Sequence, residues 1–274
     1  MVLELTTAVK GENMASANEK SPQNHIQGLE RGLAVLTAFD AERPNPTVAE
    51  LAAATNLSRP VVRRVLLTLQ RLGYVANSGG RWTLTPRVLS IGQHYTATHA
   101  LTELAQPHLM RLAERTDESA TLATLDGNEV VYIARVPVRR VLSVTVSPGT
   151  RVAAHATSLG RVLLAWEPAE RVEQVINEYG LPRLTPYTIT DPEEFREILA
   201  VVREQGWSMV VNEREEGLIS LSATVRDHHG QVVAAVASST STGRTTPEKM
   251  REEVLPELLE AAKRISTELG NHSA

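Results

Sequence analysis

Two helical patterns between Thr47 and Leu72 lie so close together that only a four-residue turn fits between them. The first opens on Thr47, whose hydroxyl can cap the helix, with Glu50 three residues later to return the bond, the pattern of a capping box. It carries Val48, Leu51, Ala52 and Ala53 and stops at Thr55-Asn56. Leu57 follows, and then Ser58 and Pro60 supply an N-cap and a first-turn proline for the second helix. Val62, Val65, Leu66, Leu69 and Leu72 recur there at helical spacing, and Gly73 ends the run. Upstream, residues 29–39 show a further helical pattern, broken afterwards by Pro44 and Pro46. Downstream, residues 74–76 and 81–85 read as strands around the turn Asn77-Ser78-Gly79-Gly80.

Helix, helix, turn, helix, hairpin is the order of a winged helix-turn-helix, which the sequence places at residues 25–87. In that geometry the third helix enters the major groove of double-stranded DNA. With Val62, Val65, Leu66 and Leu69 turned inward, Pro60, Arg63 and Arg64 face outward. Ser58, Arg59 and Val61 fall at the first turn, where base edges are reached, and Arg63 can pair two donors with guanine or hold a phosphate. Arg81 beside the hairpin turn and Arg31 on the first helix complete the candidate DNA-contacting set. The competing reading is a solvated arginine face on a structural helix.

Charge discriminates between these readings. The whole chain carries −4, which argues against a polyanion partner, but the charge is unevenly spread. Residues 25–100 hold eight Arg, no Lys and four acids, a net +4, whereas residues 101–274 carry −7. A small basic block on a larger acidic one means that only the first meets nucleic acid. Cysteine is absent, which removes disulfides and thiolate chemistry and fits a reducing cytoplasm. No run approaches the roughly 20 apolar residues of a membrane helix, and the N-terminus lacks a secretory signal.

Residues 1–24 read as a flexible tail and residues 88–101 as a linker helix. Residues 102–270 form an α+β domain with an antiparallel sheet. Strands are expected at 120–126, 130–137, 141–146, 207–212, 218–226 and 232–239, and helices at about 101–115, 158–166, 168–179, 192–205 and 247–269. No phosphate loop, dinucleotide fingerprint, zinc-protease motif or nucleophile elbow is present. His228-His229 lies in a turn and is read as polar, not metal-binding. No cofactor, metal site or catalytic set is expected. Arg135, Arg139, Arg140, Arg151 and His155 surround Ser158-Leu159-Gly160, which opens a helix whose free N–H groups suit a carboxylate. An organic anion is the natural guest, although strand alternation puts Arg135 and Arg139 on one face and Arg140 on the other. Ion pairs with surface acids are the alternative role for these arginines.

LERGLAVLTAFD, TVAELAAATNLSRPVVRRVLLTLQRLGYV and HATSLGRVLLA, in this order, resemble IclR-family transcription regulators over residues 25 to 270. YIARVPVRRVLSVTVSPGTRVAAHATSLGRVLLA is similar to those members that control the β-ketoadipate pathway of protocatechuate and 4-hydroxybenzoate breakdown. The resemblance implies a winged helix-turn-helix joined to a GAF-like effector domain. It also implies homodimers, often paired into tetramers on operator DNA, and a small organic acid as effector. Aligned family ligand positions are Ser158, Leu159, Val210, Leu218, Ser220, Ala237 and Ser239. Val210 stands where glyoxylate-type members have an acid, Ser220 where they have cysteine, and Ala237 where they have serine. A pocket so altered favours a larger, partly apolar acid. A small-acid hydrolase or lyase tethered to DNA, and a dimerisation module without a ligand, are the alternative functions.

Overall fold

The computed structural model describes residues 25–40, 43–91, 100–138 and 147–271. They fall into two compact units divided between His94 and Tyr95.

In the first unit α1 (Gln27–Thr37), α2 (Val48–Thr55) and α3 (Arg59–Arg71) precede a hairpin of β1 (Val75–Ser78) and β2 (Arg81–Leu84). The capping box forms as the sequence predicts: Glu50 N donates to Thr47 Oγ1 at 3.3 Å and Thr47 N to Glu50 Oε2 at 2.6 Å. Asn56 ends α2 in the left-handed region, at φ 53°, which turns the chain sharply into α3. Val35, Leu51, Val62, Leu66, Val75 and Trp82 make the core, with Val65 and Leu69 packed at its margin. The hairpin turn is tighter than expected. Ser78 pairs with Arg81, so only Gly79 and Gly80 turn, both at positive φ that a side chain would resist. Of the expected linker helix, residues 92–99 lie outside the described residues; what precedes them is a 3₁₀ turn, Pro86–Val88, capped by Thr85, and then helical backbone at 89–91.

Among the described residues the second unit is a six-stranded antiparallel sheet covered by helices on both faces. Its strands are β3 (Ser119–Asp126), β4 (Glu129–Val136), β5 (Arg151–Ala153), β6 (Trp207–Val211), β7 (Leu218–Arg226) and β8 (Val232–Ser241), in the spatial order β5-β4-β3-β8-β7-β6. One face packs Leu122, Leu221 and Val236 against α4 (Ala100–Thr116) and α8 (Leu255–Glu268). The other packs Val130, Val152 and Ala235 against α5 (Ser158–Leu164), α6 (Ala169–Gln174) and α7 (Pro192–Gln205).

Sequence patterning finds most of these elements and misplaces some. The strand expected at 141–146, with Arg139 and Arg140, lies outside the described residues. β5 was not anticipated, because three residues are too few to show a period. The closing helix is not continuous from 247. Pro256 has no N–H to give to the preceding turn, and the chain passes through a π turn at Met250–Val254 before α8 resumes. A β-bulge in the β3–β4 ladder leaves Ile133 unpaired between Tyr132, opposite Ala123, and Ala134, opposite Leu122.

Candidate functional site

The first unit presents α3 as its basic surface. Arg59, Pro60, Arg63 and Arg64 are exposed, and Val61 is half-buried. Ser58 occupies the N-cap position in extended backbone, but its hydroxyl caps nothing and stays available outward. Among the described residues Arg59, Arg63 and Arg64 make no ion pair, so the helix carries charge that no neighbouring acid neutralises. That is the electrostatic condition for displacing counterions from a phosphate backbone. Arg31 is half-buried on α1 and shares a groove with Arg64, between α1 and α3. Arg81 is tethered: its Nη1 donates to the Asn45 carbonyl at 3.0 Å, pinning the hairpin to the loop before α2, while its other donors make no hydrogen bond among the described residues.

The second unit holds a cavity of about 60 Å³ between the sheet and α5, against the roughly 10–15 Å³ that one water needs. The sheet supplies its floor. Ser119 of β3 stands opposite Ser239 of β8, which stands opposite Ser220 of β7, which stands opposite Val210 of β6. Beside this row lie Arg135 and Thr121, themselves paired in register. Ser158 and Leu159 of α5 close the roof, and Glu213, Arg214 and Leu218 approach from the β6–β7 end.

The serines form one network. Ser158 Oγ lies 2.7 Å from both Ser220 Oγ and Ser222 Oγ, and Ser239 Oγ donates to Ser220 Oγ at 3.1 Å. Hydroxyls that each donate and accept are satisfied among themselves and can exchange one partner for a guest. Tyr132 faces the cavity from β4. Burial raises its pKa, and the nearby Arg214 and Arg135 pull it the other way, so both cations lie within electrostatic reach of the phenol. Burial in turn lowers the Arg135 pKa. Beneath the site runs a buried ion pair, Arg161 Nη2 to Glu213 Oε2 at 2.6 Å. The same Glu213 oxygen accepts from Ile189 N, and Arg161 Nε donates to the His155 carbonyl.

Seven of the expected effector residues line this cavity: Arg135, Ser158, Leu159, Val210, Leu218, Ser220 and Ser239. Three do not. His155 is buried, and its Nε2 meets the Pro182 carbonyl at 2.9 Å. A carbonyl only accepts, so Nε2 carries the proton; burial lowers the pKa and keeps the ring neutral. Gly160 serves packing. A Cβ there would lie 2.1 Å from the Ala154 oxygen. Ala237 is wholly buried in the core between sheet and helices. Arg151 is occupied on the surface by Glu129 and Asp126. The α5 N-terminus is partly used as well, since Thr157 Oγ1 accepts from Gly160 N at 3.1 Å.

Sequence reasoning missed Tyr132, Thr121, Ser119, Glu213 and Arg214 on the cavity wall, and Ser222 in the serine network. Ser222 was findable, two residues along β7 from Ser220 and so on the same face. Tyr132 was not, because strict alternation separates it from Arg135, and only the bulge at Ile133 returns both to one face.

Comparison with known proteins agrees with both units. The model of the IclR helix-turn-helix domain matches residues 28–79, and that of the bacterial transcriptional regulator IclR C-terminal domain matches residues 93–267. The chain is 38% identical over 245 residues to the Pca regulon regulatory protein of Pseudomonas putida, covering 89% of this chain and 84% of that one. It is 37% identical over 255 residues to the p-hydroxybenzoate hydroxylase transcriptional activator of Acinetobacter baylyi, covering 91% and 94%. Among solved structures it is similar to an IclR homologue from Microbacterium hydrocarbonoxydans complexed with 4-hydroxybenzoate. The TM-score is 0.78 at 28% identity, covering 88% of this chain and 98% of that one. A winged helix-turn-helix with an unneutralised α3, an antiparallel GAF-like sheet domain enclosing a cavity, and matches to both family models lead to one assignment: the chain belongs to the IclR family of bacterial transcriptional regulators.

Proposed function

We propose that this protein binds operator DNA through α3 and controls genes of aromatic-acid catabolism in response to a small organic acid held in the cavity of the second unit. The observation that carries this reading is the largely apolar cavity bearing Arg135 and Arg214, in a domain of the same family as a homologue complexed with 4-hydroxybenzoate. Relatives named for the Pca regulon and for p-hydroxybenzoate hydroxylase support the pathway. Arg59, Pro60, Val61, Arg63 and Arg64 contact the major groove, Ser58 reaches phosphate, and Arg31 and Arg81 flank them. The protein works as a homodimer in the cytoplasm, each copy reading half of a pseudo-palindromic operator. Two dimers pair into a tetramer on longer operators. The acid is sensed and not consumed.

The effector shifts DNA affinity only by its differential binding to the two conformations. Selection from random duplex DNA by the full chain tests the reading, followed by titration of the enriched sequence with and without 4-hydroxybenzoate, protocatechuate or β-ketoadipate. An enriched inverted repeat whose dissociation constant moves with one of these acids is expected. Sequence-indifferent binding, or an acid recovered chemically changed, would overturn it.

A further inference from the structure

α3 divides its surface three ways. Val62 and Leu66 are buried in the core, with Val65 and Leu69 packed at its margin. Val61, Arg64 and Thr68 turn towards the groove between α1 and α3. The remaining face carries Pro60, Arg63, Leu67, Gln70 and Arg71, all exposed. Leu67 is 47% exposed. Among the described residues it is the one valine or leucine of α3 that joins neither the core nor the groove.

A lone exposed leucine is ordinary on a protein surface. This one is set apart by its neighbours. Arg63 and Arg64 lie one turn before it and Arg71 one turn after, at the spacings that bring side chains together on a helix. None of these three side chains makes an ion pair or a hydrogen bond among the described residues. An apolar spot ringed by such cations resists an apolar protein face, since docking would strip water from unpaired charges. It suits a surface that is anionic at its edges and offers a methyl group between them. Double-stranded DNA is such a surface: phosphates border the major groove, and the thymine C5-methyl projects into it. The register agrees. Pro60, Arg63, Arg64 and Leu67 recur at i, i+3, i+4 and i+7 near the start of α3, the spacing at which the third helix of a homeodomain reads bases.

We propose that Leu67 is a specificity-determining residue of α3, packing on the C5-methyl of one thymine in each half of the operator. Its position relative to the base pair met by Arg63 follows from the helix. Four residues rise roughly 6 Å along α3, and the duplex spends about 3.4 Å on each base pair, so the two contacts lie about one or two base pairs apart. This inference rests on the reading of α3 as the DNA-contacting helix and deepens it by naming a residue that reads shape and not charge.

The test remakes the operator selected by the full chain with deoxyuridine in place of each thymine in turn, which removes only the methyl group. Gel-shift titration at fixed salt then compares wild type, L67A, L67M and R63A. One replacement per half-site is expected to raise the wild-type dissociation constant about fourfold, the worth of one buried methyl-sized group. The same replacement should leave L67A nearly unchanged, because its partner is already gone. L67M keeps an apolar side chain of similar volume and should respond as wild type does. The sensitive thymine should fall within about two base pairs of the position whose preference R63A relaxes. Leu67 packs in no core, so its variants keep the fold, which a melting curve checks. A wild type indifferent to every replacement overturns the assignment. So does an L67A variant that loses as much as wild type at the same thymine, or an operator with no thymine at that distance. These results leave the DNA-binding reading standing, since an operator has then been selected. If the full chain selects no sequence, that reading falls and this inference falls with it.

Discussion

Replacing Arg161 by methionine tests the interior of the second unit most directly. Its side chain is 4% exposed and that of its partner Glu213 is 9%. In Arg161→Met the Glu213 carboxylate keeps one donor, Ile189 N at 3.0 Å, and loses the charged one at 2.6 Å. The His155 carbonyl loses the Arg161 Nε donor as well. Leaving one member of a buried ion pair uncompensated costs about 3–5 kcal/mol. Glu213→Leu leaves the guanidinium stranded, at a similar cost. In the double variant no charge remains. Only Ile189 N–H and the His155 carbonyl are orphaned, at about 1–3 kcal/mol each at most. The two single losses therefore exceed the loss in the double variant by several kcal/mol, a coupling that a double-mutant cycle measures. Urea unfolding in a Trp82→Phe background makes fluorescence report the second unit, which keeps Trp166 and Trp207. Midpoints should shift with unchanged slopes. A loss under about 1 kcal/mol for Arg161→Met would refute the reasoning, since only a solvent-screened pair is worth so little.

Three further outcomes are expected. Arg63→Ala should weaken binding to the selected operator by about 1–3 kcal/mol at fixed salt and relax the preference at one base position; an unchanged affinity in gel-shift titration rules out a base contact. Gly160→Ala should destabilise at or above the upper end of the about 1–3 kcal/mol typical of overpacking, because the new methyl meets backbone at 2.1 Å and not a movable side-chain tip. Thermal melting reads that loss. His155 gives a pH dependence. Burial lowers its pKa in the folded chain, with Arg161 adding to the shift and the Pro182 bond and Glu213 opposing it. Its stabilising effect is complete above the unfolded value near 6.5, and is lost as pH falls from there towards the folded value, because the unfolded chain binds the proton first. His155→Gln, whose amide can still donate to Pro182, should flatten stability against pH in that window; an unchanged slope would show that another group titrates there.

The first unit was legible because its instructions are local. The Thr47–Glu50 box, the left-handed Asn56, the Gly79-Gly80 turn and the apolar period of α3 each act within a few residues. The sequence therefore determined the winged helix-turn-helix, the exposed arginines of α3, and the antiparallel strands whose alternation is undisturbed, such as β7. The tertiary structure decided the cavity. Its walls join residues as far apart as Ser119 and Ser239, paired by strand order, and Tyr132 and Arg135, brought to one face by a single bulged residue. Nearness in sequence to the α5 N-terminus suggested His155 and Gly160, but side-chain direction and backbone approach gave them to packing instead. A helix cap depends on atoms three residues apart, whereas a binding cavity depends on how distant strands register and which way each side chain then points.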